Sequence, residues 1–164
     1  MRFLRVLLTW FTKPQAPETN QFVADEGDIA RFVFNRRDLF QDGRPKPKAF
    51  SPQWHKELDR YETSICGLND VVDERLWFLG RTIRAQEGLS AIAALELPVK
   101  AVVSTGLDCI SAPEPNYAEH GVIIGWNSDP NAKDERLAFQ QDLAASVPAS
   151  KVKRLPSTAF LPNE

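Results

Sequence analysis

The chain has 164 residues and a formal net charge of −2, with 43% hydrophobic and 26% charged residues. This length suits one ordinary domain with its own apolar core and is short for two. The slightly acidic balance argues against a protein that coats nucleic acid over its whole surface, because such proteins need a strongly basic face. A local basic patch is compatible with this charge.

The start of the chain, MRFLRVLLTWFTK, is predicted to form an arm outside the domain. Its apolar run is too short to span a membrane, and no small-residue cleavage pattern follows it. We interpret it as an amphipathic helix or arm that docks on the domain or on a protein partner. Its partner-binding side chains would be Phe3, Leu7, Trp10 and Phe11. Residues 1–27 are therefore predicted to be an arm and a polar, proline-containing linker.

The domain is predicted to cover residues 28–148 and to begin with a strand. Residues 29–35 alternate between two faces and are rich in aromatic and β-branched side chains, which is a strand pattern. An ordered loop follows, because QDGRPKPKAFSP combines a turn signal at Asp42 and Gly43 with three prolines. A short helix is predicted after Pro52, and residues 61–66, YETSIC, are predicted to form a second strand.

Two longer helices are predicted in the second half of the domain. The first runs from Asn69 to about Gln86, with acidic residues in its first turn and Gly88 beyond its end. Its apolar stripe comprises Val72, Leu76, Leu79 and Ile83. The second begins at the cap and first-turn proline Asp129-Pro130 and ends before Pro148.

Apolar runs predict the remaining strands: residues 89–97 and 99–105, separated by Pro98, form two strands or one bent strand pair, and residues 122–124 form another strand. Residues 149–164 are predicted to be a C-terminal tail. These elements together predict a single α+β domain, with an antiparallel or mixed sheet of about four or five strands covered by two helices.

The motifs RFVF, GRPKPKAF and ETSI are followed by HGVIIGW and a polar, alanine-containing helix. This pattern resembles a group of small uncharacterised bacterial proteins over roughly residues 28–146. The resemblance implies a bacterial, intracellular domain and carries no activity, cofactor or site residue.

The two cysteines, Cys66 and Cys109, and the two histidines, His55 and His120, are scattered singly along the chain. They lack the short paired spacings of zinc sites, so we expect no metal and no cofactor. We interpret the cysteines as buried apolar residues and not as a disulfide, which favours a reducing, cytoplasmic location.

His120 is the candidate catalytic residue because it follows Glu119 and stands at the mouth of the predicted strand 122–124. An imidazole suits proton transfer, since its neutral and charged forms both exist near neutral pH. The alternative is a loop histidine hydrogen-bonded to backbone. No G-x-S-x-G or phosphate-loop motif is present, and Ser64 and Ser104, in strand-like runs, are interpreted as structural.

A basic loop is the strongest binding signal in the sequence. Its cations are Arg36, Arg37, Arg44, Lys46 and Lys48, and they are interleaved with Phe40, Phe50 and Trp54. Cations that pair with phosphates and rings that stack on bases suit single-stranded nucleic acid or another polyanion. The alternative is a solvated loop whose arginines pair with acidic residues of the first helix and whose aromatic rings fill the core.

These observations favour a non-enzymatic interaction or accessory module of a bacterial cytoplasmic system. It would contact a protein partner, or alternatively single-stranded nucleic acid, through the arm and the basic loop. The second hypothesis is an enzyme acting on a nucleotide or nucleic-acid phosphate substrate, with His120 as acid/base and Arg37 and Arg44 as anion clamps. The enzyme hypothesis requires that these three side chains converge on one pocket.

Overall fold

The computed structural model describes residues 27–155, which contain seven strands and three helices. The predicted partner-binding residues of the arm, Phe3, Leu7, Trp10 and Phe11, lie outside this range. The strands are β1 (Asp28–Val33), β2 (Gln53–His55), β3 (Arg60–Gly67), β4 (Ala93–Pro98), β5 (Asp108–Ser111), β6 (His120–Ile124) and β7 (Val152–Arg154). The helices are α1 (Asp73–Thr82), α2 (Val99–Val103) and α3 (Lys133–Ala145).

The described strands form one sheet in the order β5-β6-β3-β1-β4-β7, and β2 pairs with β3 as a hairpin. Every pairing is antiparallel. The predicted α+β class is confirmed, whereas the predicted number of strands is too small. Three strands of three or four residues, β2, β5 and β7, were missed because such short segments have too few residues to show an alternating pattern.

An apolar core lies on each face of the sheet. Successive residues of a strand point to opposite faces, so one strand can contribute to both cores. In β1, Ile29 and Val33 belong to one apolar core, while Ala30 and Phe32 belong to the other. Helices α2 and α3 contribute to the first core, for example through the fully buried Leu143 of α3. Helix α1 covers the opposite face.

Helix α1 confirms the predicted amphipathic pattern, with Leu76 and Leu79 both 1% exposed. It begins later than predicted, since Val72 precedes the first helical residue and is 59% exposed. Gly80 lies where a Cβ atom would stand only 3.1 Å from the ring of Phe32 and 3.2 Å from the Cβ of Ala91. The helix therefore packs closely against the sheet at this point.

Two predicted elements are wrong. Residues 99–105 were predicted to be a strand, but Val99–Val103 form α2, since Val99 and Val102 bury one side of a single short turn of helix. The helix predicted after Pro52 is the β2–β3 hairpin, in which Trp54 packs edge-on against Tyr61 at 4.9 Å between ring centroids. In both cases the segment takes the structure that its packing partners require.

The sheet continues into residues 149–164, which the sequence predicts to be a tail. Strand β7 pairs with β4, and Lys153 contacts Glu96 at 2.8 Å and Asp73 of α1 at 2.9 Å. These ion pairs link the last described strand to both the sheet and α1.

Replacement of Leu79 by alanine should lower the free energy of unfolding by about 2–5 kcal/mol, through lost burial and the cavity left behind. Val72→Ala is the matched control, because Val72 is exposed beside the same helix and should change stability by no more than about 0.5 kcal/mol. Equilibrium unfolding in urea measures both. An unchanged midpoint for Leu79→Ala would contradict the placement of α1 on the sheet.

Candidate functional site

A cleft of about 300 Å³ opens on the α1 side of the sheet. Its walls come from β1, β3, the end of α1 and the loop that precedes β6. The lining is mostly polar and includes Arg31, Gln53, Glu62, Ser64, Arg84, Glu87, Glu114 and His120. This concentration of titratable side chains around one concavity makes the cleft the candidate functional site.

The pairing of β3 with β6 brings Ser64 and His120 together. Ser64 lies opposite Val122 and Cys66 lies opposite His120, so Ser64 and His120 are diagonal neighbours on one face of the sheet. The Ser64 Oγ is 2.9 Å from the His120 Nε2. Ser64 is exposed to the cleft, whereas His120 is buried behind it.

The other ring nitrogen of His120 fixes the direction of this hydrogen bond. Its Nδ1 lies 2.6 Å from the carbonyl oxygen of Ala112, which can only accept a hydrogen bond. In the neutral imidazole the proton is therefore on Nδ1, and Nε2 accepts a hydrogen bond from the Ser64 hydroxyl. The Glu114 Oε1 is 3.3 Å from the same Nδ1 and forms an ion pair with the ring when His120 is protonated.

A buried ion pair holds the loop that carries these groups. Arg75 of α1 contacts Glu119 at 2.7 Å, and the two side chains are 5% and 0% exposed. Arg75 also donates to the Asn116 carbonyl, and the Tyr117 hydroxyl donates to the Ile65 carbonyl. The loop is thereby attached to both α1 and β3. The predicted position of His120 at the start of a strand is confirmed, and its catalytic role stays a prediction.

Arg31 enters the cleft where β1 and β3 separate. The two strands pair only at Ile29 with Gly67 and at Ala30 with Cys66. Beyond this point the Arg31 Nη1 donates to the Ser64 carbonyl at 2.8 Å, and its Nε donates to the Ala49 carbonyl at 3.1 Å. Burial lowers the pKa of Arg31 from 12.5 to about 10, so the guanidinium stays charged at neutral pH.

The basic loop lies apart from the cleft, since none of its five predicted binding cations is among the lining residues. Arg36, Arg37, Arg44 and Lys48 are exposed, and Lys46 is partly buried. The prediction that Arg37 and Arg44 act as anion clamps beside His120 is therefore wrong. Arg31 and Arg84 occupy the cleft instead, because their positions on β1 and after α1 place them there.

The aromatic residues interleaved with these cations are not all exposed. Phe40 is 48% exposed and lies beneath Arg44 and Lys46, at 5.9 and 5.5 Å from its ring centroid. Phe50, in contrast, is fully buried in the core and cannot stack on a base. Arg44 pairs with Asp42 of the same loop at 2.7 Å.

Neither cysteine offers a nucleophile. Both are free, as predicted, but only Cys66 is buried, since Cys109 is partly exposed. Burial raises the pKa of each thiol to about 12. Within residues 27–155, no three acidic, histidine or cysteine side chains are grouped so as to hold a metal ion. None of the helices in that range has the length and apolar character needed to cross a bilayer.

Comparison with protein-family models, with curated proteins and with solved structures gives no match. The interpretation of the cleft therefore rests on its geometry.

From the sequence, Ser64 was interpreted as structural and Arg31 was given no role in a site. A serine inside a strand has no local motif, and its partner His120 is 56 residues away along the chain. The sole sequence signal for Arg31 is an arginine within an otherwise apolar strand, RFVF.

The two thiols should resist modification in the folded protein. With a pKa of about 12 for each, the thiolate fraction at pH 8 is on the order of 10⁻⁴, and the thiolate is the reactive form. Titration with dithionitrobenzoate should show slow reaction in buffer and two equivalents at once in guanidinium chloride. Rapid reaction of either thiol in buffer would contradict its raised pKa.

The basic loop should bind a polyanion with a steep salt dependence if the interaction hypothesis is correct. Each phosphate neutralised releases counterions, so Arg44→Ala with Lys46→Ala should reduce both the affinity and the salt slope for a single-stranded oligonucleotide. Fluorescence anisotropy across a salt series measures both. Lys100→Ala with Lys133→Ala, exposed elsewhere, is the matched control. Equal slopes for the two double variants would remove nucleic acid as a ligand of this loop.

Proposed function

We propose that the protein is a hydrolase that cleaves a small ester, with Ser64 as the nucleophile and His120 as the general base. The observation that carries this proposal is the 2.9 Å contact from the Ser64 Oγ to the His120 Nε2 in an open cleft. A nucleophilic hydroxyl needs a neighbouring base and a third group that orients the base. The Ala112 carbonyl, 2.6 Å from Nδ1, supplies the third contact.

The steps follow from these positions. The Ser64 Oγ bonds to the ester carbonyl carbon while its proton moves to the His120 Nε2. The imidazolium then donates this proton to the leaving alcohol oxygen as the ester C–O bond breaks. Water, deprotonated by the same Nε2, hydrolyses the acyl-serine and restores both side chains. The Nδ1 proton stays on the Ala112 side throughout, and the Glu114 carboxylate stabilises the imidazolium.

The burial pattern supports a catalytic pair over a structural hydrogen bond. A serine whose only role is to satisfy a core histidine would be buried with it, whereas Ser64 is exposed and His120 is 8% exposed. The Nδ1 of the buried imidazole is held by the Ala112 carbonyl, which leaves Nε2 as the nitrogen that can accept a proton from Ser64. This arrangement presents a polarised hydroxyl to a ligand.

The interaction module is the second candidate. It is supported by exposed apolar side chains on the basic loop and on the β2–β3 hairpin that follows it, since Phe40, Trp54 and Leu58 are each more than 40% exposed. Exposed rings beside cations suit a protein partner or single-stranded nucleic acid. This surface is separate from the cleft, so the two proposals do not compete for the same residues.

Ser64→Ala and His120→Gln should each lower kcat for hydrolysis of p-nitrophenyl acetate by a factor on the order of 10³, since either change removes the activated nucleophile. A fluorophosphonate probe should label Ser64 in the native protein and neither variant. Ser104→Ala is the matched control, because this exposed serine bonds only to the Ala101 carbonyl, far along the chain from the cleft. Full activity of Ser64→Ala, or labelling of another residue, would refute the proposal.

A further inference from the structure

The charged side chains that line the cleft are paired, with one exception. Arg84 pairs with Glu87, Glu62 pairs with Arg60 at 2.6 Å, and Glu114 faces the His120 ring at 3.3 Å. Arg31 forms no ion pair with any carboxylate of residues 27–155. It is therefore the one lining cation in this range whose charge no protein carboxylate contacts.

The guanidinium of Arg31 is also fixed in place. Its Nε donates to the carbonyl of Ala49, and its Nη1 donates to the carbonyl of Ser64 in β3. A neutral amide side chain could satisfy two carbonyl oxygens without the cost of a partly desolvated charge. The two hydrogen bonds therefore do not by themselves require the positive charge of Arg31.

Asp38 is a described carboxylate whose charge acts on Arg31. It partly offsets the effect of burial on the pKa of Arg31, yet the two side chains do not approach to ion-pair distance. The Asp38 Oδ1 is itself buried without a hydrogen-bond partner in the described part of the chain. The positive charge at the cleft is thus left to a ligand.

We propose that Arg31 binds a negatively charged group of the substrate, a carboxylate or a phosphate, and so makes the cleft selective for anionic esters. This inference rests on the proposed hydrolysis at Ser64. The Arg31 Nη1 is 2.8 Å from the carbonyl oxygen of Ser64, so the guanidinium directly contacts the residue that carries the nucleophile. The substrate is then a small ester whose charge stands close to the bond that is cleaved, which suits a cleft of about 300 Å³.

Binding is tested without turnover. Thermal unfolding of the native chain should shift upward with inorganic phosphate or with succinate, compared with sodium chloride at equal ionic strength, because a ligand of the folded state stabilises it. A larger shift with phosphate indicates a phosphate site, and a larger shift with succinate indicates a carboxylate site. Arg31→Met should abolish the shift, and Arg31→Lys should retain part of it. Arg84→Met is the matched control, because Arg84 lines the same cleft but is paired with Glu87.

Selectivity is tested by hydrolysis of two esters with the same leaving group. The native chain should cleave mono-p-nitrophenyl succinate with a kcat/KM roughly tenfold or more above that for p-nitrophenyl acetate, which is the size expected of a charged hydrogen bond. Arg31→Met should remove this preference, so that the ratio of the two kcat/KM values falls toward one.

The outcomes separate this inference from the proposed function. An anion-dependent shift that requires Arg31, without hydrolysis of either ester, supports the anion site and refutes the hydrolase. Hydrolysis that needs Ser64 but shows no anionic preference and no thermal shift overturns the role of Arg31 and keeps the hydrolase. The role of Arg31 is also overturned if the anion-dependent rise in unfolding temperature is equally large in Arg31→Met and in Arg84→Met. If Arg31→Met does not fold, the native chain and Arg31→Lys still decide between these results.

Discussion

The register between β3 and β6 is the constraint on which the cleft depends. Ile65 and Ile123 are 1% and 0% exposed on the core side of these strands, and burial of such side chains sets which residues face each other. A slip of one residue would place Ser64 and His120 on opposite faces of the sheet. The hydrophobic core therefore positions Ser64 and His120, and the geometry of their contact depends on how that core packs.

The buried pair of Arg75 and Glu119 extends this control to the loop before β6. Two charges removed from water contribute little net stability, whereas loss of one partner leaves the other uncompensated, at a cost of about 3–5 kcal/mol. Such a pair holds the loop in one position but adds little to the stability of the fold. Glu119 directly precedes His120, so the ion pair adds to the contacts that position the imidazole, whose Nδ1 lies 2.6 Å from the Ala112 carbonyl oxygen.

The cleft and the basic loop are distinct surfaces with a shared support. The segment Pro47–Phe50 ends the basic loop, and its Ala49 and Phe50 carbonyls accept hydrogen bonds from Arg31 and Thr63. Arg31 thus links the loop backbone to the strand that carries Ser64. A partner on the loop and a substrate in the cleft would act on neighbouring parts of one framework, which makes the two proposals compatible.

The sequence by itself determined the elements with a sustained pattern: β1, β3, β4, β6, α1 and α3, together with the unpaired cysteines and the exposed basic residues of the loop. Tertiary structure decided the rest. The β-branched run at α2 became a helix because Val99 and Val102 are buried on one side, and the short strands exist only through their neighbours. Ser64, Arg31 and His120 met because strand pairing joins segments 33 and 56 residues apart, and no local periodicity encodes such a contact.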